Sequence, residues 1–139
     1  MFSKIVIAHD GSEGADRALS AAIKLAKLHG AQLHMVSVEE LSQFPASVDE
    51  VVEEKTEANH YFESLVARAT SQARAAGINL LAHVTAGHAV TSIVACVERQ
   101  RADLLVVGYM GHSALYNRLI GSTTDRLVEL AGCTVMVVK

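Results

Sequence analysis

The chain has no tryptophan, three tyrosines, three phenylalanines, one proline and two cysteines in 139 residues. Cys96 and Cys133 form no CxxC and have no histidines at zinc spacing, which argues against a disulfide framework and a structural zinc site. Burial in a reducing compartment is the expectation for both. No apolar run reaches the length of a membrane span. The opening M-F-S-K-I-V-I-A-H-D lacks the h-region and cleavage site of a signal peptide, so a cytoplasmic protein is expected. A basic excess is missing too. Twelve Lys and Arg against fifteen Asp and Glu give a net charge of −3, which argues against non-specific binding to nucleic acid or to an anionic membrane.

Several catalytic signatures are also absent. There is no G-x-x-x-x-G-K-[ST], no lysine between Lys55 and Lys139, and no G-x-S-x-G elbow. The chain therefore offers neither a Walker-type loop nor a visible charge clamp for phosphoryl transfer. The histidines, His9, His29, His34, His60, His83, His88 and His112, show no i,i+4 pair and no HExxH, and no metal ligand is expected among them.

What is present is a well-patterned apolar chain. Half the residues are hydrophobic and 19% are charged, the profile of one globular domain over residues 1–139. Apolar runs at 4–8, 32–38, 79–85, 103–108 and 134–139 read as strands. Between them, helical spacing predicts helices over 13–29, 48–76, from 87 onward, and over 122–131. The expected inward faces are Ala15, Ala18, Leu19, Ala22, Ile23 and Ala26 in the first helix, and Val51, Val52, Ala58, Phe62, Leu65, Ala69 and Ala73 in the second. The third is expected to turn Val90, Ile93, Val94 and Val97 inward, and the fourth Leu127, Val128 and Leu130. Gly30, Gly77 and Gly132 are placed to stop helices, and 41–47, with Pro45, reads as a loop. Strict alternation of strand and helix implies an α/β, doubly wound, Rossmann-like parallel sheet with helices on both faces.

Residues 108–125, G-Y-M-G-H-S-A-L-Y-N-R-L-I-G-S-T-T-D, follow the buried-strand pattern Leu104-Leu105-Val106-Val107. Glycines admit close backbone approach, and N–H groups at a helix N-terminus attract anions. The stretch therefore suits a sugar-phosphate held by main chain, or else a plain turn before a capped helix. In a doubly wound sheet, ligands settle beyond the carboxyl ends of the strands where the winding reverses. With strand four beside strand one, Asp10, Val38, Gly108 and the helix mouth at Gly121-Ser122 converge. A carboxylate at a strand end suits ribose hydroxyls or a base edge, which puts Asp10 at the nucleoside end or makes it a turn aspartate. Ser122 and Thr123 suit phosphate, or simple capping. Arg118 reads as solvated. Among the histidines only His112 is placed near the ligand; strand alternation turns His9 away.

These residues resemble the universal stress protein family (UspA-like). The resemblance rests on the opening strand into Asp10-Gly11-Ser12, on G-A-Q-L-H-M-V-S-V and on A-D-L-L-V-V-G. It rests further on the G-x-x-G-x(9)-G-[ST] signature at Gly108, Gly111, Gly121 and Ser122, and on the close from Cys133 to Val138. It implies a five-stranded sheet of order 3-2-1-4-5 and ATP in the crevice, with Mg²⁺ or Mn²⁺ accompanying the phosphates. Asp10 and the main chain at Val38, or at Ser37 one residue earlier, would meet adenosine. Gly108 and Gly111 would follow the ribose and phosphates, with Gly121, Ser122 and Thr123 on the phosphates.

In that order the last strand is an edge, and Val135 to Val138 are consecutively apolar. An apolar edge invites a second copy, so a homodimer through strand 134–138 is expected unless a loop or Lys139 shields it. The function expected is a dimeric regulatory or stress-response module that binds ATP, with at most slow hydrolysis. The alternatives are a slow ATPase or nucleotidyl-transferring enzyme, and a ligand-free dimeric interaction protein.

Overall fold

The computed structural model of the protein describes residues 1–40, 48–109 and 120–139. Five strands run β1 (Lys4–Ala8), β2 (Gln32–Glu39), β3 (Leu80–Ala86), β4 (Leu104–Gly108) and β5 (Thr134–Val138). Between them come α1 (Glu13–His29), α2 (Val48–Ala75), α3 (Ala89–Gln100) and α4 (Ser122–Leu130). The sheet is parallel throughout, in the order β3-β2-β1-β4-β5. The winding direction reverses between β1 and β4, where Ile5, Val6 and Ile7 pair with Leu104, Leu105 and Val106.

Alternation along the strands divides the core in two. Ile5, Ile7, Leu33, Met35, Leu104 and Val106 face α1 and α2. Val6, Val36, Leu105 and Val107 face α3 and α4. Both faces of the central strands are thus covered, which is why those strands read as unbroken apolar runs. At their starting ends, Asp103 accepts the main-chain N–H groups of Ser3 and Lys4 at 2.9 and 3.0 Å, so it clasps β1 from outside β4.

Helix α1 forms where its spacing predicts, with its expected apolar face buried. The Ser12 hydroxyl caps its start by accepting the Ala15 N–H, and Gly30 ends it in the left-handed conformation. Three expectations on helix ends and faces fail. Helix α4 stops at Leu130 because Ala131 is extended at φ −66°, so Gly132 is not the stop. Helix α3 begins at Ala89 and ends on Arg101 in the left-handed region, a position usually given to glycine. Val52, Val128 and Leu130 are 60%, 50% and 45% exposed. Val52 lies on the outer face of the long α2; in the short α4 a phase shift of one residue moves a side chain from core to solvent, and only Thr124 and Leu127 face inward. The predicted loop at 41–47 lies outside the described residues.

Candidate functional site

A cleft of about 500 Å³ opens at the reversal point. Its floor is apolar, from Ala8, Val36, Val38, Ile93 and Val107, and Phe62 of α2 contributes beside them. Its rim is polar, with Asp10, Ser12, Glu40, Tyr61, Thr123 and Thr124. Such a combination suits a flat aromatic group with a polar tail.

Asp10, Val38, Gly108, Gly121 and Thr123 all border this cleft, so residues from three strand ends and one helix mouth meet as expected. Of Val38 and Ser37, only Val38 borders the cleft. Ser37 is 1% exposed and spends its hydroxyl on the His9 carbonyl at 2.7 Å, while Val38 faces the cleft. Ser122 is exposed and borders the adjoining groove between α3 and α4. Gly111, His112 and Arg118 lie outside the described residues.

The mouth of α4 has a form of its own. Gly121, not Ser122 or Thr123, is the N-cap, at φ −66° and ψ 148°. Ser122, Thr123 and Thr124 fill the first turn, where N–H groups lack an intrahelical acceptor. That turn offers an anion roughly 0.3–1 kcal/mol from the helix dipole. The mouth is tied in place twice: the Gly121 N–H donates to the Tyr109 carbonyl at 3.1 Å, and the Thr124 hydroxyl to the Gly108 carbonyl at 2.7 Å. By contrast, the start of α3 is already occupied, because the Glu40 carboxylate accepts the Ala89 N–H at 3.0 Å.

Gly108 has a packing reason beyond any ligand. A Cβ there would lie 2.9 Å from the Gly14 carbonyl carbon and 3.0 Å from its oxygen. The end of β4 therefore touches the first turn of α1 backbone to backbone.

The turn that presents Asp10 is held by residues the sequence did not single out. Asp10 accepts the Ser12 N–H at 3.0 Å in an Asx turn, which joins its two alternative roles: it is a turn aspartate and it also borders the cleft. Tyr61, reaching across from α2, donates its hydroxyl to the Asp10 carbonyl. A Cβ at Gly11, whose φ is +85°, would collide with that hydroxyl. His9 borders the cleft as well, although alternation does turn its ring toward α1. Its Nε2 lies 3.1 Å from Asp16 Oδ1 and its Nδ1 accepts the Gly11 N–H at 3.0 Å. Burial pushes His9 below the ordinary imidazole value despite the pull of Asp16 and Asp10. Burial, with Asp10 next, raises the Tyr61 phenol above its usual range. No periodicity signals Tyr61 or Glu40, because Tyr61 serves the site from an exposed position on α2 and Glu40 from an exposed position just past β2. Among the described residues no group of three or more His, Cys, Asp or Glu is placed to hold a metal ion.

A model of the universal stress protein family matches residues 1–139. A universal stress protein of Thermus aquaticus is 30% identical over 139 residues, covering all of both chains. Among solved structures, the universal stress protein UspA of Lactobacillus plantarum superposes with a TM-score of 0.87 at 25% identity, covering 99% of this chain and 97% of that one. A universal stress protein solved in complex with cAMP superposes at 0.78, also at 25% identity, with 99% and 97% covered.

Proposed function

The chain belongs to the universal stress protein family, and from that premise we propose that it is an ATP-binding regulatory or stress-response module with at most slow hydrolysis. The observation that carries this reading is the single cleft wall shared by Asp10, Val38, Gly108 and the mouth of α4. Adenine rests on the apolar floor, Asp10 and the main chain at Val38 meet the nucleoside, and the first turn of α4 receives the phosphates. Glu40 at the start of α3 leaves α4 as the end that takes an anion. The structural neighbour bound to cAMP supports an adenine nucleotide as the ligand class. In this reading Gly111 serves the ribose and phosphates, and His112 is the histidine near the ligand.

A Mg²⁺ or Mn²⁺ ion fits such a site only through the phosphates. The described residues supply no carboxylate or histidine cage, and Mg²⁺ commonly keeps its waters and binds through substrate phosphates. When bound, the ion neutralises phosphate charge in a cleft whose described rim has no lysine or arginine.

The protein acts as a homodimer through strand 134–138, and its compartment is the cytoplasm. Among the described residues β5 pairs on one side only, with β4, and four consecutive apolar residues on it are half-buried. Lys139 does not cover that edge, since its ammonium sits 5.4 Å from the Tyr109 ring centre, toward β4. No helix among the described residues is long and apolar enough to cross a membrane.

Absorbance tests the reading directly. With no tryptophan and three tyrosines, bound adenine dominates the spectrum of the purified protein. A 260/280 ratio of bare protein, together with no ATP uptake on titration, overturns it. Many ADP released per site per minute would instead identify an enzyme.

A further inference from the structure

The turn between β1 and α1 hangs on one side chain whose hydrogen-bonding sense can invert. His9 is 2% exposed. Its main chain is fixed from β2 on both sides: its N–H donates to the Val36 carbonyl at 3.0 Å, and its carbonyl accepts the Ser37 hydroxyl at 2.7 Å. Its ring is fixed as well. Since Nδ1 accepts the Gly11 N–H at 3.0 Å, the proton of the neutral ring sits on Nε2, which donates to Asp16 at 3.1 Å. The imidazole therefore bridges the first turn of α1 to the residue that follows Asp10.

We propose that His9 is a positioning residue for the cleft: its neutral ring holds Gly11, and through it Asp10, in the nucleotide-binding shape, and its protonation releases both. The proposal rests on the reading of the cleft as an adenine-nucleotide site. A proton on Nδ1 turns an acceptor into a donor that faces the Gly11 N–H, and two donors at that distance repel. Asp10 is one bond removed. Its carbonyl is held by Tyr61 and its carboxylate by Ser12, so any shift of Gly11 changes both.

The groups facing the ring come from three elements. Asp10 at the end of β1 and Asp16 on α1 favour the cation, while Arg68 on α2 opposes it and Tyr61 on α2 is a neutral phenol in this range. Burial outweighs the two carboxylates and lowers the ring from its ordinary value, which favours the neutral form. Asp16 has a second role: it orients Nε2 and so fixes the tautomer that leaves Nδ1 free to accept.

The test titrates MgATP into the wild type, His9→Asn and His9→Phe at about pH 7.5 and about pH 5. In His9→Asn the amide oxygen replaces Nδ1 as acceptor and takes up no proton. The wild type is expected to lose roughly tenfold more affinity on acidification than His9→Asn, a ratio that cancels protonation of the nucleotide itself. His9→Phe binds weakly at both values. Equal pH profiles in the wild type and His9→Asn overturn the proposal. Independently, ¹⁵N correlations of the free protein should show the Nε2–H tautomer at neutral pH, with the Gly11 amide shifting along the His9 titration. An Nδ1–H ring, or a Gly11 amide that ignores the titration, also overturns it. If MgATP fails to bind at either pH, the reading of the cleft falls, while the Gly11 measurement still decides whether His9 controls the turn.

Discussion

The hydroxyl of Thr124 donates to the carbonyl oxygen of Gly108 at 2.7 Å, which fastens the first turn of α4 to the end of β4 at the cleft. Thr124 is 6% exposed, so water cannot readily replace it. Thr124→Val keeps the shape and removes the donor, and is expected to cost about 1–3 kcal/mol. Thr124→Ser retains the hydroxyl and should recover most of that loss. Urea unfolding of the pair reads the difference, and equal losses would mean the bond is not the cause.

Gly108→Ala should destabilise by about 1–3 kcal/mol although the change is one methyl group. The atoms that block it are the Gly14 carbonyl and the Ala15 nitrogen, at 2.9 to 3.2 Å. Backbone cannot swing aside as a side chain does, so β4 and α1 must part. A melting temperature unchanged by the substitution would contradict this packing.

Helix α4 gives a sharper contrast. Leu127→Ala, at 1% exposure, should cost about 2–5 kcal/mol. Val128→Ala, at 50% exposure, should stay within about 0.5 kcal/mol. Comparable losses from both would return Val128 to the core face that the sequence pattern suggests.

Mild acid should weaken the fold through its buried histidines. Burial lowers His9, His34 and His83 from their ordinary value, with His83 adding to the push on His34 and Arg99 to that on His83. The unfolded chain then takes up protons near pH 6.5 that the folded chain refuses. Stability is therefore full above that value and declines as pH falls below it toward the lowered folded values. Urea midpoints at about pH 7.5 and about pH 5.5 test the direction. A midpoint that rises in acid would show these rings gain, not lose, by protonation in the fold.

Gly121→Val should abolish nucleotide retention while size-exclusion chromatography still shows the dimer. At φ −66° and ψ 148° any residue fits the backbone, so the loss would come from bulk at the helix mouth. Retention equal to that of the wild type would separate this mouth from the phosphates.

Much of the fold was readable from pattern. Each strand is an apolar run and α1 to α3 are amphipathic over several turns, so element order follows from periodicity, and a parallel sheet follows from the order. Strand ends fix Asp10, Val38 and Gly108 near one another once the winding reverses. The apolar face of α4 is not legible in the sequence because nine residues contain too few turns to phase it, and Thr124 takes a core position that hydropathy assigns to solvent.

Residue order alone determined the secondary elements, the class of sheet and the strand ends that border the cleft, because these depend on neighbours a few positions apart. Folding in three dimensions decided the rest. Tyr61 reaches Asp10, Glu40 occupies the start of α3, Gly14 leaves no room beside Gly108, and Asp16 with Gly11 fixes the tautomer of His9. Most of these contacts join residues on different elements, and a hydrogen bond or a steric limit between distant positions leaves no period in the chain.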